Sequence, residues 1–307
     1  MSTSGRLTKV YEQAECIGYD RNAKFIIMSD CHRGVGNVGD NFLKNRHIYT
    51  AALTYYCQRN FTYLELGDGD ELWENKNMED IIRVHSDVFE LLSKFYKAGR
   101  LYMLYGNHDI QKRKERFLRK HCKRPEGHKL ECRNFGEQKE FFPGLVVREG
   151  LILEDCETKR RIFLVHGHQG DLLNDTLWRV GRFLVRHIWR KLELLGMENP
   201  VSSGGSEKTK SKAEERLIKW ANDNKQLMIA GHTHRPRFWN DAQNYYFNDG
   251  SCVQPYAVTG IELEDGMIRL VKWSIMTRAD STMYIGREVV DEAELSAFGK
   301  SGAASCM

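Results

Sequence analysis

The sequence predicts an α/β fold of four layers, two β-sheets packed together with helices outside. Three observations predict it. Short apolar runs stop abruptly at polar clusters, as strands buried on both faces do. Amphipathic helical patterns alternate with the early runs, which implies βαβ units and a largely parallel sheet. The later chain is β-rich and carries Asp265-Gly266, a strong hairpin signal.

Taken in order, "KFIIMS" reads as a strand ending at Asp30-Cys31-His32, and residues 41–58 suit one helix. "TYLEL" ends at Gly67-Asp68. In "EDIIRVHSDVFELLSKFYKAGR", Ile81, Val84, Val88, Leu91, Leu92 and Phe95 recur at three-and-four spacing, so the stretch reads as one helical pattern, with Gly99 at its C-terminal cap. "LYMLY" runs into Gly106-Asn107-His108-Asp109. "GLILED" and "RRIFLV" flank a short turn, the latter ending at His166-Gly167-His168, and "QLMIA" ends at Gly231-His232-Thr233-His234. Residues 1–277 are expected to form one domain, interrupted at about 172–225 by an insertion of an amphipathic helix, a Ser/Gly-rich stretch and a short helix. Residues 278–307 are expected to be a peripheral tail.

Ligands of open α/β sheets bind beyond the carboxyl ends of the strands, and the polar clusters fall there. Together they offer Asp30, His32, Asp68, Asn107, His166, His232 and His234. Two carboxylates, an amide oxygen and four imidazoles suit two divalent cations of borderline hardness. One zinc would need only four ligands. Paired metals clamp the attacking and leaving oxygens in phosphoryl transfer.

The series "DCH", "GD", "GNHD", "HGH" and "GHTH" resembles the calcineurin-like metallophosphoesterase superfamily, over roughly residues 24–275. The resemblance implies a double β-sandwich flanked by helices, and a phosphoesterase in which a hydroxide bridging two metals attacks a phosphomonoester, phosphodiester or pyrophosphate. It implies Asp30, His32 and His234 on one metal, Asn107, His166 and His232 on the other, and Asp68 bridging. His108 would protonate the leaving oxygen and Asp109 would orient it. Manganese is the first expectation, with iron, zinc or nickel as alternatives. The insertion before "GHTHRP" is similar to that of UDP-2,3-diacylglucosamine pyrophosphohydrolases, which implies an acylated substrate as the alternative. Those enzymes carry arginine where this chain has His108, so their substrate does not transfer directly.

Neighbouring residues leave alternatives open. Arg33 either contacts a phosphate oxygen or pairs with a structural carboxylate, and His168 either supports the presumed ligand His166 or contacts substrate, or is a simple loop histidine. Asp70, Glu71, Glu74 and Asp171 read as hydrogen-bond acceptors behind metal-bound histidines. "KRKERFLRK" reads as a solvated helix face rather than a nucleic-acid contact, and His121, Cys122, His128 and Cys132 fit no tight zinc pattern. The helix at 176–195 pairs a wide apolar face with arginines, which suits core or homodimer packing, or a lid touching an acyl chain or an anionic lipid surface.

Composition narrows the function classes. A net charge of +4 over 307 residues permits an anionic substrate, a phosphorylated small molecule or a nucleotide or sugar conjugate, without a strong nucleic-acid signal. No apolar run is long enough for a membrane span. The N-terminus lacks a secretory core and the eight cysteines form no tight framework, so reduced thiols and a cytoplasmic location are expected. A DNA-processing nuclease and a non-catalytic scaffold are the other function classes kept in view.

Overall fold

In the computed structural model, residues 2–123, 140–171, 207–239 and 245–298 are described. The expected helix at 176–195 and the loop histidine and cysteine at 128 and 132 lie outside them.

Two sheets form the centre. The larger has the order β12-β11-β10-β2-β3-β4-β5. Its strands β2 (Phe25–Met28), β3 (Thr62–Leu66), β4 (Leu101–Leu104) and β5 (Val147–Arg148) run parallel, and β10 (Ala257–Glu264), β11 (Met267–Thr277) and β12 (Met283–Glu294) form an antiparallel meander joined to β2. The smaller sheet has the order β1-β6-β7-β8-β9, from Glu15–Tyr19, Gly150–Asp155, Arg161–Val165, Leu227–Ala230 and Tyr246–Asn248.

Side-chain alternation explains the layering. In β2, Phe25 and Ile27 face the second sheet, where they meet Leu151, Leu164 and Ile229. Ile26 and Met28 face the opposite way, onto the helices α2 (Arg46–Gln58) and α4 (Ser86–Lys97) through Leu53, Leu92 and Phe95. In β7, Ile162 and Leu164 line the space between the sheets, while Phe163 and Val165 meet α1 (Thr3–Gln13) and α6 (Glu207–Asp223) through Leu7, Val10, Leu217 and Trp220. Helix, sheet, sheet, helix is the four-layer α/β sandwich expected. The two-residue turn at Asp265-Gly266, with φ of 52° and 75°, matches the right-handed twist of β10 and β11.

Three expectations need correction. The pattern from residue 79 is two helices, α3 (Met78–Val84) and α4, broken at His85 (φ −107°, ψ 33°). His85 is fully buried and its Nε2 lies 2.9 Å from Asp40 Oδ2, so the break between the two helices is anchored on another element. The helix assigned to the end of the insertion is no appendage, because Leu217, Trp220 and Ala221 of α6 are core residues beneath β7 and β8. Residues beyond 278 are likewise built in: β12 pairs along all of β11, and Leu295 and Phe298 are buried against the space between the sheets. Among the described residues no helix is long and apolar enough to cross a membrane.

Candidate metal centre

The carboxyl ends of β2, β3 and β4 in one sheet and of β7 and β8 in the other meet at the seam between the sheets. Backbone hydrogen bonds extend the pairing past the strands: the amides of Asp30 and His32 donate to the carbonyls of Gly67 and Asp68 at 3.1 and 2.8 Å, and that of Gly231 to His166 at 2.9 Å. Hydrogen bonds also stitch the sheets together. His232 N donates to Asp30 Oδ2 at 2.7 Å, and His166 Nδ1 to the carbonyl of Leu66 at 2.8 Å. Glycine permits the approach. A Cβ on Gly231 would lie 2.1 Å from Ser29 Oγ, and one on Gly106 2.1 Å from Asp68 Oδ1.

Asp30, His32, Asp68, His232 and His234 all have positive φ, between 47° and 68°. Non-glycine residues pay for that conformation, and such strain concentrates at functional sites. Here each turn is the sharp exit from a strand that aims a side chain across the seam.

The side chains form two adjoining groups. Asp30, His32 and His234 make one, and Asp68, His166 and His232 the other. Asp68 faces both, with Oδ2 at 3.2 Å from His166 Nε2 and 3.8 Å from His32 Nε2, while Oδ1 accepts the backbone N–H of His108 at 2.8 Å. Asn107 is buried, and its Oδ1 has no hydrogen-bond donor among the described residues.

This donor set fits cations. His166 spends its Nδ1 proton on Leu66, which leaves Nε2 as the nitrogen that faces Asp68 Oδ2 and can offer a lone pair to a cation. His32 has Nδ1 3.1 Å from Glu71 Oε2, which turns the Nε2 lone pair toward His234 Nε2 at 3.3 Å and Asp30 Oδ1 at 3.5 Å. Lone pairs aimed at one another in a buried site repel unless positive charge sits between them. The electrostatics agree. Burial pushes both rings down, but Asp68 and Asp30 carry His166 up to about 9, and Asp30 and Glu71 hold His32 well above its usual value. Against the same burial, the imidazoles hold Asp30 and Asp68 well below the carboxylate range.

Around this centre the geometry sorts the neighbouring residues. His108 lies against it, its ring 4.7 Å from that of His32 and its Nδ1 2.6 Å from Glu71 Oε2. Glu71, not Asp109, is thus the carboxylate that faces the ring of His108, and the expectation for Asp109 is corrected. The Asp109 carboxylate instead accepts the backbone N–H groups of Asp68, Gly69 and Gly106, and pairs with Lys112 at 2.8 Å. It is a staple between two loops. Burial would raise Glu71, but His108 and His32 outweigh it and bring its pKa down to about 2.

Arg33 is not a substrate contact. It is fully buried, its Nη atoms donate to Glu65 at 2.8 and 3.0 Å and its Nε to Asp70 at 2.7 Å, so the guanidinium has no route to a phosphate. Lys112, read from sequence as part of a solvated face, is also buried, 2.5 Å from Asp70. His168 is buried too, its ring 5.5 Å from that of His166. Burial and the neighbouring imidazoles of His166 and His232 push its pKa well down, so His168 is held as the neutral ring.

Sequence reasoning missed two supports. Ser29 Oγ bridges Asp30 Oδ2 at 2.6 Å and buried Asp249 Oδ1 at 2.7 Å, fixing the orientation of the Asp30 carboxylate. Trp73 stacks on His108 with centroids 4.2 Å apart. The only sequence signals were a serine before "DCH" and the tryptophan in "GDGDELWE".

With this geometry in view, the family model for calcineurin-like phosphoesterases matches residues 23–236, more than half of the chain. The chain belongs to the calcineurin-like phosphoesterase family. Among solved structures it is similar to vacuolar protein sorting 29 from Cryptosporidium parvum, with 13% identity, 90% of this chain and 100% of that one covered, and a TM-score of 0.40. The Chaetomium thermophilum Vps29 matches at 10% identity, covering 88% of this chain and 98% of that one, with a TM-score of 0.42. A cold-active protein-tyrosine phosphatase of a psychrophilic Shewanella species matches at 17% identity, covering 88% and 83%, with a TM-score of 0.39. No curated protein matches the sequence.

Proposed function

We propose that this member of the family is a two-metal phosphoesterase acting on a phosphomonoester, phosphodiester or pyrophosphate. The observation that carries the reading is the convergence of lone pairs from Asp30, His32, Asp68, His166 and His234 at a buried seam, with the Asn107 amide oxygen beside them. Divalent cations there, manganese by first expectation, supply Lewis-acid polarisation of a phosphoryl oxygen and acidify a water nucleophile.

The chain's own residues do the remaining work. Asp68 joins the two donor groups and also holds the amide of His108, so the metal seat and the proton donor share one anchor. Nδ1 of His108 lies within ion-pair distance of Glu71, so Nε2 is the nitrogen left to hand a proton to the leaving oxygen. Glu71 stays ionised across the physiological range and keeps a negative charge beside the ring of His108. Among the described residues nothing favours the acylated-substrate reading over a plain phosphoester.

The test is phosphate release from aryl and alkyl phosphates, a diester and a nucleoside diphosphate conjugate, with added Mn²⁺. Wild type is expected to turn over at least one, and Asp68→Asn to lose both stoichiometric metal and turnover. Metal-loaded wild type that hydrolyses none of them sinks the reading. Metal-free protein of native stability would favour a scaffold instead.

A further inference from the structure

Trp73 heads the described side chains that are fully buried, at 1% exposure, yet it belongs to none of the three hydrophobic clusters that make the core. Its indole is spent on the catalytic edge of the molecule. The ring lies nearly parallel to the imidazole of His108, with centroids 4.2 Å apart and planes 16° from parallel. Its Nε1 donates to the carbonyl of Asn107 at 2.6 Å. Its own backbone amide donates to Glu71 Oε1 at 3.0 Å, beside that of Glu74 at 3.2 Å, while the other oxygen of Glu71 faces His108 and His32.

One side chain thus touches a proposed metal ligand through its peptide carbonyl, the proposed proton donor through its ring face, and the carboxylate that orients that donor through its backbone. An imidazole held at Nδ1 only by an ion-pair contact can still swing about it. A flat surface against its face removes that freedom, and the Nε1 bond fixes the peptide from which the imidazole hangs. Catalysis by a positioned acid depends on such alignment within a fraction of an ångström.

We propose that Trp73 is a positioning residue that locks the Asn107–His108 pair, so that the proton donor keeps one orientation relative to the metal seat. The inference rests on the phosphoesterase reading, and it makes two separable claims. Stacking sets the ring of His108, and the Nε1 bond sets the Asn107 peptide. Trp73→Phe keeps an aromatic face and loses the Nε1 donor, whereas Trp73→Leu loses both.

The first measurement needs neither metal nor turnover. In protein labelled at histidine, ring protons of His108 are identified by their loss in His108→Gln. In wild type they are expected upfield, under the indole ring current. The shift should persist in part in Trp73→Phe and vanish in Trp73→Leu. Unshifted His108 signals in wild type, which requires no variant to fold, overturn the stack.

The second measurement compares leaving groups with Mn²⁺ present. An aryl phosphate with a good leaving group needs little protonation, and an alkyl phosphate needs it fully. General acids contribute on the order of 10²–10⁴-fold, so Trp73→Leu should lower kcat/KM for the alkyl substrate at least about tenfold more than for the aryl one, with Trp73→Phe between. An equal fall on both substrates makes Trp73 merely structural and defeats the proposal while leaving the phosphoesterase reading intact. A wild type with no turnover on any substrate defeats that reading instead, and the magnetic-resonance result still decides the stack.

Discussion

Replacing Arg33 with methionine removes one of two cations from a buried group of five charged side chains. Arg33 and Lys112 face Glu65, Asp70 and Asp109 through contacts between 2.5 and 3.8 Å, so the formal charge of the group changes from −1 to −2. Arg33 supplies three donated hydrogen bonds, two to Glu65 and one to Asp70, and both carboxylates are fully buried. Breaking a buried pair by removing one partner costs roughly 3–5 kcal/mol, because the other charge is left in low dielectric. Methionine fills part of the lost volume, so the cavity term is small beside the charge term. Against a typical domain stability of about 5–15 kcal/mol, the loss is a large fraction of the whole. Equilibrium denaturation in guanidinium measures it directly. Adding Glu65→Gln to Arg33→Met relieves one stranded charge, so the double variant should lose less than the two single losses together. A variant with stability within about 1 kcal/mol of wild type and a raised KM for a phosphoester would refute the reasoning, since that is how an exposed phosphate contact behaves.

Other expectations follow from the same geometry. Asp109→Ala releases three backbone N–H groups at the loops carrying Asp68 and Gly106, and should weaken metal binding while lowering turnover equally for good and poor leaving groups. Glu71→Gln should penalise poor leaving groups selectively, and identical patterns in the two variants would contradict the roles assigned here. Gly266→Ala should cost about 1–2 kcal/mol in thermal or chemical unfolding, because φ is 75° and nothing lies within 4 Å of the new methyl to compensate. Burial raises Asp40, but His85 and the Gly36 amide reverse this and hold its carboxyl below the ordinary value. A depressed carboxyl stabilises the fold above its unfolded pKa near 4, and that contribution is lost as pH falls through the folded value. Asp40→Asn should therefore flatten the acid limb of stability against pH, and curves that stay parallel below pH 5 would contradict it.

Much of the candidate metal centre was legible because it is local. A short apolar run that halts at "DCH" or "GHTH" announces both a strand and the polar turn closing it, and the seven donors were nameable from that pattern. The strand alternation that divides Ile26 and Met28 from Phe25 and Ile27 was written locally too, as was the turn at Asp265-Gly266. Lys112 and His85 are polar residues whose partners, Asp70 and Asp40, lie on other elements, and polarity alone reads as exposure. For Arg33 two readings stood open, and the buried carboxylates of Glu65 and Asp70 decide for the structural one.

What the sequence by itself determined was the layered sandwich and the residue types that gather at its edge, since strand period and turn chemistry act over a few neighbours. Only the tertiary structure decided that Glu71, not Asp109, faces His108, that Asp109 binds two loops together, and that an indole lies flat on the ring of His108. Those choices depend on which of several carboxylates a loop delivers within hydrogen-bond reach. That is settled by how the ends of β3 and β4 pack, to a fraction of an ångström, after the two sheets have closed.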